Sequence, residues 1–483
     1  MLIESLNISI SAVMPEILIT GLALVVLVLD FFLSKKFKFI LGYLSVAGLL
    51  VLLPIVLVSI DTNPTFGGTV IADRFAAFFN TIFIVAGILA ILISIDYLKK
   101  ENIQRGEYYY IILFAVLGMM VMASAFDLLS VYVGLELMAL SFYILVAQRY
   151  RDIRSAEGAL KYFVLGALSS GILLYGLSFA FGFGGTTNLK EIAQHAVSGQ
   201  AGRPFLMLAI ILITGGFAFK VALFPFHLWA PDAYEGAPTP VTALLSVGSK
   251  AAAFAVFLRI FIVAFPEFQP EWSQLLWLLS AATMLFGTVV AIAQSNIIRM
   301  MAYSSIAHAG MILIGMLVFN QTGVSGMLYY LLVYTFINIG VFAVVTLVVR
   351  RDGKGENISD YKGLGTQHPL LAFFMALYLL ALAGVPPTAG FVAKFYILAS
   401  AIEAQYYWLT IIGVITTAVA LFFYARVIFY MYMREPDGSL ELSGTGLVGQ
   451  AVLLIAAAGT VIPGIYPAPF IEMAVKAIKP LLN

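Results

Sequence analysis

Residues 214–250 read T-G-G-F-A-F-K-V-A-L-F-P-F-H-L-W-A-P-D-A-Y-E-G-A-P-T-P-V-T-A-L-L-S-V-G-S-K, from Thr214 to Lys250. Apolar sequence flanks this stretch on both sides, yet it carries Lys220, His227, Asp232, Glu235 and Lys250 together with Pro225, Pro231, Pro238 and Pro240. A polar, interrupted segment at membrane depth is tolerated only where protein buries it or where it lines a water-filled cavity. Ionisable groups at such a place mark a functional site by default. Lys220 and Lys250 are the first candidates.

The surrounding chain makes membrane depth the right frame. Of its 483 residues, 62% are hydrophobic and 11% charged. Soluble domains run nearer about 45–50% apolar and about 25% charged. Apolar pieces of helix length recur, whereas barrel strands would be about half as long and would alternate. The reading is an all-α integral membrane protein with about fourteen spans. They fall near 16–33, 39–60, 75–95, 109–124, 128–147, 159–183, 204–235, 240–264, 273–293, 300–319, 324–349, 369–403, 407–431 and 445–465, the seventh and twelfth being broken. A net charge of +1 gives no reason to expect a nucleic-acid partner. The absence of cysteine excludes disulfides and cysteine-ligated iron–sulfur clusters. Met1 to Pro15 carries only Glu4 and has no basic segment of the kind that opens a cleavable signal peptide.

Positive residues sort by loop. Fifteen fall on one face, among them Lys35, Lys99, Arg149, Arg154, Arg299, Arg350, Arg351, Lys354, Lys362 and Arg434. Five fall on the other: Arg74, Lys190, Arg203, Lys476 and Lys479. The positive-inside bias makes the first face cytoplasmic. An even number of spans then places both termini outside. Asp30, near the end of the first span, is expected as a solvated interfacial residue. Leu189 to Gln200 reads as a short amphipathic segment on the outer face.

Four ionisable groups lie deep in the spans. Glu136 sits mid-way along the fifth, Lys220 in the seventh, Lys250 about ten residues into the eighth and Lys394 beyond Pro386 and Pro387 in the twelfth. Ten residues are about 15 Å of helix, too deep for easy snorkelling. Together the four charges would cost about 10–14 kcal/mol on insertion scales, against a net stability of about 5–15 kcal/mol for a whole domain. They must be paired, neutralised or hydrated, and three lysines cannot all pair with one glutamate. Burial disfavours an ammonium relative to the neutral amine, so lysine and glutamate with water between them make a proton relay. A lysine-rich axis is the wrong chemistry for a hard cation, which wants oxygen ligands.

Three further residues stand with two readings each. His308, nine residues past Arg299, either makes an interhelical hydrogen bond or belongs to the relay. Lys161 either snorkels to the interface or stands at the mouth of a proton path. His227 is equally a satisfied buried histidine or a proton shuttle. An internal echo links the two broken spans: Gly216-Phe217-x-x-Lys220 recurs as Gly390-Phe391-x-x-Lys394, each beside a proline break. Inverted-repeat transporters carry paired interrupted helices with the ion site between the repeats. The division expected is a three-helix segment at 1–106, two inverted five-helix repeats at 107–266 and 267–434, and a final helix and tail at 435–483.

At these residues the chain resembles the antiporter-like membrane subunits of respiratory complex I. F-K-V-A-L-F-P-F-H-L-W-A-P-D-A-Y-E-G-A-P-T-P-V-T-A-L-L-S is specific to that superfamily, and A-Y-S-S-I-A-H-A-G and P-P-T-A-G-F-V-A-K-F-Y support it. The likeness covers nearly the whole chain. Lysine at 394 brings it nearest the N-type branch, since the M-type has a glutamate in the corresponding helix. The resemblance implies a proton-translocating subunit of the inner membrane, with electron transfer in other subunits and no cofactor or metal in this chain. It implies other membrane subunits as partners, a neighbouring antiporter-like subunit included. Glu136 and Lys220 would be the coupled pair of a first half-channel, Lys250 the connecting lysine and Lys394 the terminal one, with His308, Lys161 and His227 completing the axis. Two alternatives remain: a subunit of a multi-subunit Na+/H+ antiporter or of a ferredoxin- or deazaflavin-dependent relative, and a membrane scaffold whose lysines pair with neighbouring chains. Copurifying redox subunits would separate the first alternative from the complex I reading.

Overall fold

A computed structural model describes residues 8–101, 103–198, 203–348, 355–436 and 446–482. Arg350, Arg351 and Lys354 of the basic set, together with Glu4 and Gln200, lie outside the described residues. The helices in chain order are α1 (Met14–Phe32), α2 (Phe39–Val58), α3 (Arg74–Lys100), α4 (Glu107–Ser124), α5 (Leu128–Val146), α6 (Ile153–Gly184) and α7 (Leu189–Ser198). Next come α8 (Arg203–Lys220), α9 (Trp229–Gly236), α10 (Thr239–Leu244), α11 (Lys250–Ala264), α12 (Gln269–Ala293), α13 (Ile297–Leu317) and α14 (Gln321–Val348). The last are α15 (Leu364–Gln367), α16 (Pro369–Ala383), α17 (Ala389–Glu403), α18 (Tyr407–Met433), α19 (Leu447–Ile465) and α20 (Ala468–Leu482).

Among the described residues, 13 helices are long and apolar enough to cross a membrane. The one expected span not among them, the twelfth, is the pair α16 and α17, split too short for either half to qualify alone. The seventh span is likewise split, into α8 and α9. The expected spans are therefore all present, with shifted ends. α6 begins at Ile153 rather than near 159, because Asp152 caps it by accepting from Arg154 N at 3.0 Å and its first turns are charged rather than apolar. Asparagine and aspartate caps also set the starts of α5, at Asp127, and α13, at Asn296.

Not every proline breaks the ladder. The first break spans residues 221–228 and holds Pro225 alone. Pro231 lies in the first turn of α9 and Pro240 in that of α10, where a missing N–H breaks no intrahelical bond because no carbonyl of the same helix lies four residues back to accept it. The second break, 384–388, holds both Pro386 and Pro387. Each lysine flanks its break from a different side: Lys220 closes α8 before the first, and Lys394 lies in the second turn of α17 after the other. That explains the reversed order of proline and lysine in the two copies.

The same neighbour relations recur in the two halves. α4 packs on α5 as α12 packs on α13, and α6 touches both halves of the first broken helix as α14 touches both halves of the second. Both glycines of the echoed motif sit at close approaches. A Cβ on Gly216 would come within 2.6 Å of Leu173 Cβ in α6, and one on Gly390 within 1.9 Å of Ala381 O in α16.

Three features escaped the sequence reading. A two-stranded hairpin, β1 (Asp61–Thr65) with β2 (Val70–Ala72), precedes α3. Amphipathic α20 folds back on α14 and α3, burying Ala474, Ala477 and Ile478. Asp30 is ion-paired with Lys38 at 2.7 Å with 13% of its side chain exposed, so it is a partnered group rather than a solvated end residue.

One fully buried ion pair anchors the first half. Arg259 of α11 meets Asp73 bidentately at 2.8 and 2.9 Å and donates to Ala123 O, at the end of α4, at 2.9 Å. Asp73 at the same time caps α3 through Ala76 N at 2.8 Å. Both side chains are 1% exposed. Removing one partner of such a pair leaves an uncompensated charge and costs about 3–5 kcal/mol. Arg259→Met is therefore expected to lower stability by about that much. Arg259→Met combined with Asp73→Leu recovers all but about 1 kcal/mol for the lost helix cap. Thermal unfolding in detergent measures both, and equal losses in the single and double variants would refute the assignment.

Candidate functional site

Lys220 lies where α8 ends against α6. The residue is 3% exposed, and Nζ donates to Ser170 Oγ of α6 at 3.2 Å. The chain beyond it is held by partners from outside the helix. Trp229 Nε1 donates to Phe219 O at 2.9 Å, and Phe224 N donates to Thr283 Oγ1 at 3.0 Å. Trp229 also stacks on Tyr162, with ring centroids 4.3 Å apart. Glu136, on α5, lies within electrostatic reach of Lys220 without forming an ion pair with it. Its Oε1 is buried and has no hydrogen-bond partner.

Lys250 follows a π turn, Leu245–Ser249, that joins α10 to α11. Such bulges inside helices recur at functional sites. Nζ donates to Ser305 Oγ at 2.6 Å and Ser305 O at 2.9 Å, so a lysine of the first half is held by α13 of the second. Tyr234 OH lies 3.4 Å from the same Ser305 Oγ. Lys394 donates to Leu382 O at 2.7 Å and Ala383 O at 3.3 Å, the end carbonyls of α16. A helix C-terminus leaves carbonyls without intrahelical donors and carries partial negative charge, so a cation is favourable there. His308 is buried between them on α13, with Nδ1 2.6 Å from Tyr330 OH and Nε2 3.1 Å from Tyr424 OH.

His227 and Lys161 have other surroundings. His227 is 2% exposed among Phe224, Phe286 and Tyr303, and neither ring nitrogen has a hydrogen-bond partner. Lys161 has 43% of its side chain exposed and pairs with Glu157 at 2.6 Å and Asp232 at 2.8 Å. Asp232 belongs to a charge network on the basic face that sequence reasoning did not assemble. Arg299 of α13 contacts Asp232 and Glu235 of α9, each at 2.8 Å, and Arg154 reaches Glu356 at 2.6 Å. These contacts tie the second half of the first broken helix to both α6 and α13.

The seven residues thus fall into groups. Lys220, Lys250, His308 and Lys394 are buried and hydrogen-bonded to neutral oxygens, with Glu136 near the first of them. His227 is buried in an aromatic cage, and Lys161 is partly exposed in the face network. Missing from the sequence reading were Tyr234, Tyr330, Tyr424, Ser304, Ser305 and the Asp232–Arg299–Glu235 cluster. The tyrosines gave no signal in a chain with 24 of them. Asp232 and Glu235 were visible three residues apart on one helix, but nothing in the sequence named their partner 64–67 residues on.

Fourteen apolar spans, two of them broken beside buried lysines, define a multi-pass membrane protein with buried polar groups at its breaks. Residues 125–420 match the family described as NADH:quinone oxidoreductase/Mrp antiporter, transmembrane, and the chain belongs to that family. NADH-quinone oxidoreductase subunit N of Trichlorobacter lovleyi is 44% identical over 98% of this chain and 98% of its own length. F(420)H(2) dehydrogenase subunit N of Methanosarcina mazei is 39% identical over 97% of this chain and 98% of its own. A chain in the structure of respiratory complex I from Thermus thermophilus with bound aureothin superposes with a TM-score of 0.81 at 29% identity, covering 95% of this chain and 98% of that one.

The contrast in burial is open to chemical labelling, because the natural chain has no cysteine to interfere. Lys161→Cys is expected to react with a water-soluble maleimide within minutes. Lys250→Cys and Lys394→Cys should stay protected until the protein is denatured, since reaction there requires opening of the packed interior. Equal labelling rates at all three would contradict the burial described.

Proposed function

We propose that the chain is a proton-translocating membrane subunit of an NADH–quinone oxidoreductase. It moves protons through Glu136, Lys220, Lys250, His308 and Lys394 while quinone reduction in other subunits supplies the energy. Its partners are the other membrane subunits, a neighbouring antiporter-like subunit among them, and it carries no cofactor of its own. It sits in a bacterial inner membrane with the basic face cytoplasmic and both termini periplasmic. Residues 107–266 and 267–434 act as two inverted repeats, and the recurrence of packing partners around both broken helices supports that division.

One observation carries the reading. Lys220, Lys250 and Lys394 are 3%, 3% and 6% exposed, and each donates to hydroxyl or carbonyl oxygens and makes no ion pair among the described residues. A lysine locked to a carboxylate would hold its proton. Neutral oxygens tolerate both the ammonium and the amine, which is what a relay requires. The same burial argues against a scaffold whose lysines reach neighbouring chains.

Moving one charge across the membrane takes about 2.3 kcal/mol per 100 mV, so the proton affinity of a pumping site must swing by at least that amount. A carboxylate near a buried lysine supplies such a swing, because its approach favours the ammonium and its withdrawal the amine. Glu136, within electrostatic reach of Lys220 but not bonded to it and with an unpartnered oxygen, supports this reading. The F(420)H(2) dehydrogenase relative favours a second reading only in the electron donor; the relay would be the same.

Lys220→Ala, Lys220→Arg and Glu136→Ala are each expected to cut proton pumping by at least about tenfold, the low end of what a positioned proton-transfer group contributes. Glu136→Asp should retain much of the activity. Arginine keeps its charge and cannot release the proton. Proton uptake into vesicles energised by the assembled enzyme is the measurement, and full pumping in an assembled Lys220→Arg variant would end the proposal. Sidedness follows separately: a membrane-impermeant maleimide should reach Lys161→Cys from the cytoplasmic side and His195→Cys, on α7, from the periplasmic side. The reverse pattern would invert the orientation.

A further inference from the structure

Lys394 sits on one half of the second broken helix and is held by the other. It lies on α17, while both of its acceptors, Leu382 O at 2.7 Å and Ala383 O at 3.3 Å, belong to the end of α16. These hydrogen bonds therefore depend on how α16 and α17 meet across residues 384–388. An N–H···O bond is lost by about 3.6 Å. A relative shift of about 1 Å between the two halves is enough to undo the attachment.

A helix from outside both proposed repeats reaches that junction. α19 packs on α16 and on α17. Gly464, in its last turn, touches the break itself: a Cβ there would lie 2.3 Å from Pro387 O, 2.5 Å from Ala389 N and 2.5 Å from Thr388 C. All three are backbone atoms, which cannot swing aside as the end of a side chain can. Ordinary contact begins near 3.4 Å, so an alanine would force α19 and the break about 1 Å apart in a close-packed interior. α19 is not free to retreat. Tyr329 OH of α14 donates to Pro463 O at 2.8 Å, and Tyr378 OH of α16 donates to Leu453 O at 2.5 Å. Part of the displacement therefore falls on the break. The other end of α19 differs, since a Cβ on Gly449 would meet Leu347 Cδ2 at 3.8 Å, an ordinary contact.

We propose that α19 is a clamp on the second break and that Gly464 is a positioning residue. Its missing side chain lets α19 hold α16 and α17 in the relation that puts Lys394 Nζ against Leu382 O and Ala383 O. The inference rests on the relay reading above and names a residue outside the relay that sets the place of one of its lysines. Gly464 carries no proton and acts only through the backbone of the break.

Proton pumping by the assembled enzyme tests the clamp, because a misplacement of about 1 Å at a reacting group can cost up to about a hundredfold. Gly464→Ala should lose at least about tenfold, whereas Gly449→Ala, the same substitution on the same helix, should pump normally. A map of the assembled Gly464→Ala complex should show Lys394 Nζ beyond hydrogen-bond reach of Leu382 O. Freeing α19 from α14 lets it yield, so adding Tyr329→Phe to Gly464→Ala should recover part of the pumping. A glycine needed only for stability would make that double variant worse. Tyr378→Phe removes one hydroxyl and adds no volume, so it carries the test if Gly464→Ala does not assemble, with an expected loss of about two- to tenfold. Full pumping in assembled Gly464→Ala or Tyr378→Phe, an equal loss in Gly449→Ala, an unchanged Lys394 contact or a double variant without recovery overturns the clamp. If Lys220→Arg stops pumping while Gly464→Ala does not, the relay stands and the clamp alone fails. If Lys220→Arg pumps normally, the relay fails, and the Lys394 contact in the Gly464→Ala map still decides the clamp.

Discussion

A helix broken inside an apolar interior must find new partners for the backbone groups it sets free, and most of this structure follows from that demand. No water is at hand in a bilayer core to satisfy an N–H or C=O, and each unsatisfied group costs several kcal/mol. At the first break the partners are Trp229, which donates to Phe219 O, and Thr283, which accepts from Phe224 N. At the second break Lys394 donates to the last carbonyls of α16. The side chains that close the breaks thus bring polar atoms into the apolar interior. Gly390 lets α17 come close enough to α16 for that closure, since any Cβ would strike Ala381 O.

Charge is distributed accordingly. Where the chain needs rigidity, opposite charges are locked together. Arg259 binds Asp73 with both oxygens engaged, and the Asp232–Arg299–Glu235 cluster ties α9 to α13 at the basic face. In the band between, the lysines have neutral partners. A paired charge in a low-dielectric interior is held tightly. A lysine on a hydroxyl is held by its hydrogen bonds alone and can change protonation state without breaking an ion pair.

Helix contacts tie the two halves together. Lys250 sits on α11 at the end of a π turn, yet its acceptors belong to α13. Arg259, nine residues further along α11 or about 13.5 Å, pins that helix to α3 and α4. The depth of Lys250 is therefore set from one end by a buried ion pair and from the other by a bulge that re-aims the helix.

Much of this was written in composition and local pattern. Apolar runs of helix length specify spans whatever they pack against, because a bilayer demands that each satisfy its own backbone. Prolines 386 and 387 forbid a continuous twelfth span, and lysines 220, 250 and 394 are too deep to be accidental. Other features depend on partners far apart in the chain. That Pro225 breaks its helix while Pro231 does not was decided by which residue became the first turn of α9. Tyr424 became a neighbour of His308, 116 residues away, only when α18 packed beside α13. Asp232 found Arg299 in the same way. The membrane-spanning class was legible in the sequence because it rests on the solvation of each segment by itself. Which polar groups meet was settled only by tertiary packing, because a hydrogen bond needs two side chains within about 3 Å of each other, and no single segment contains both.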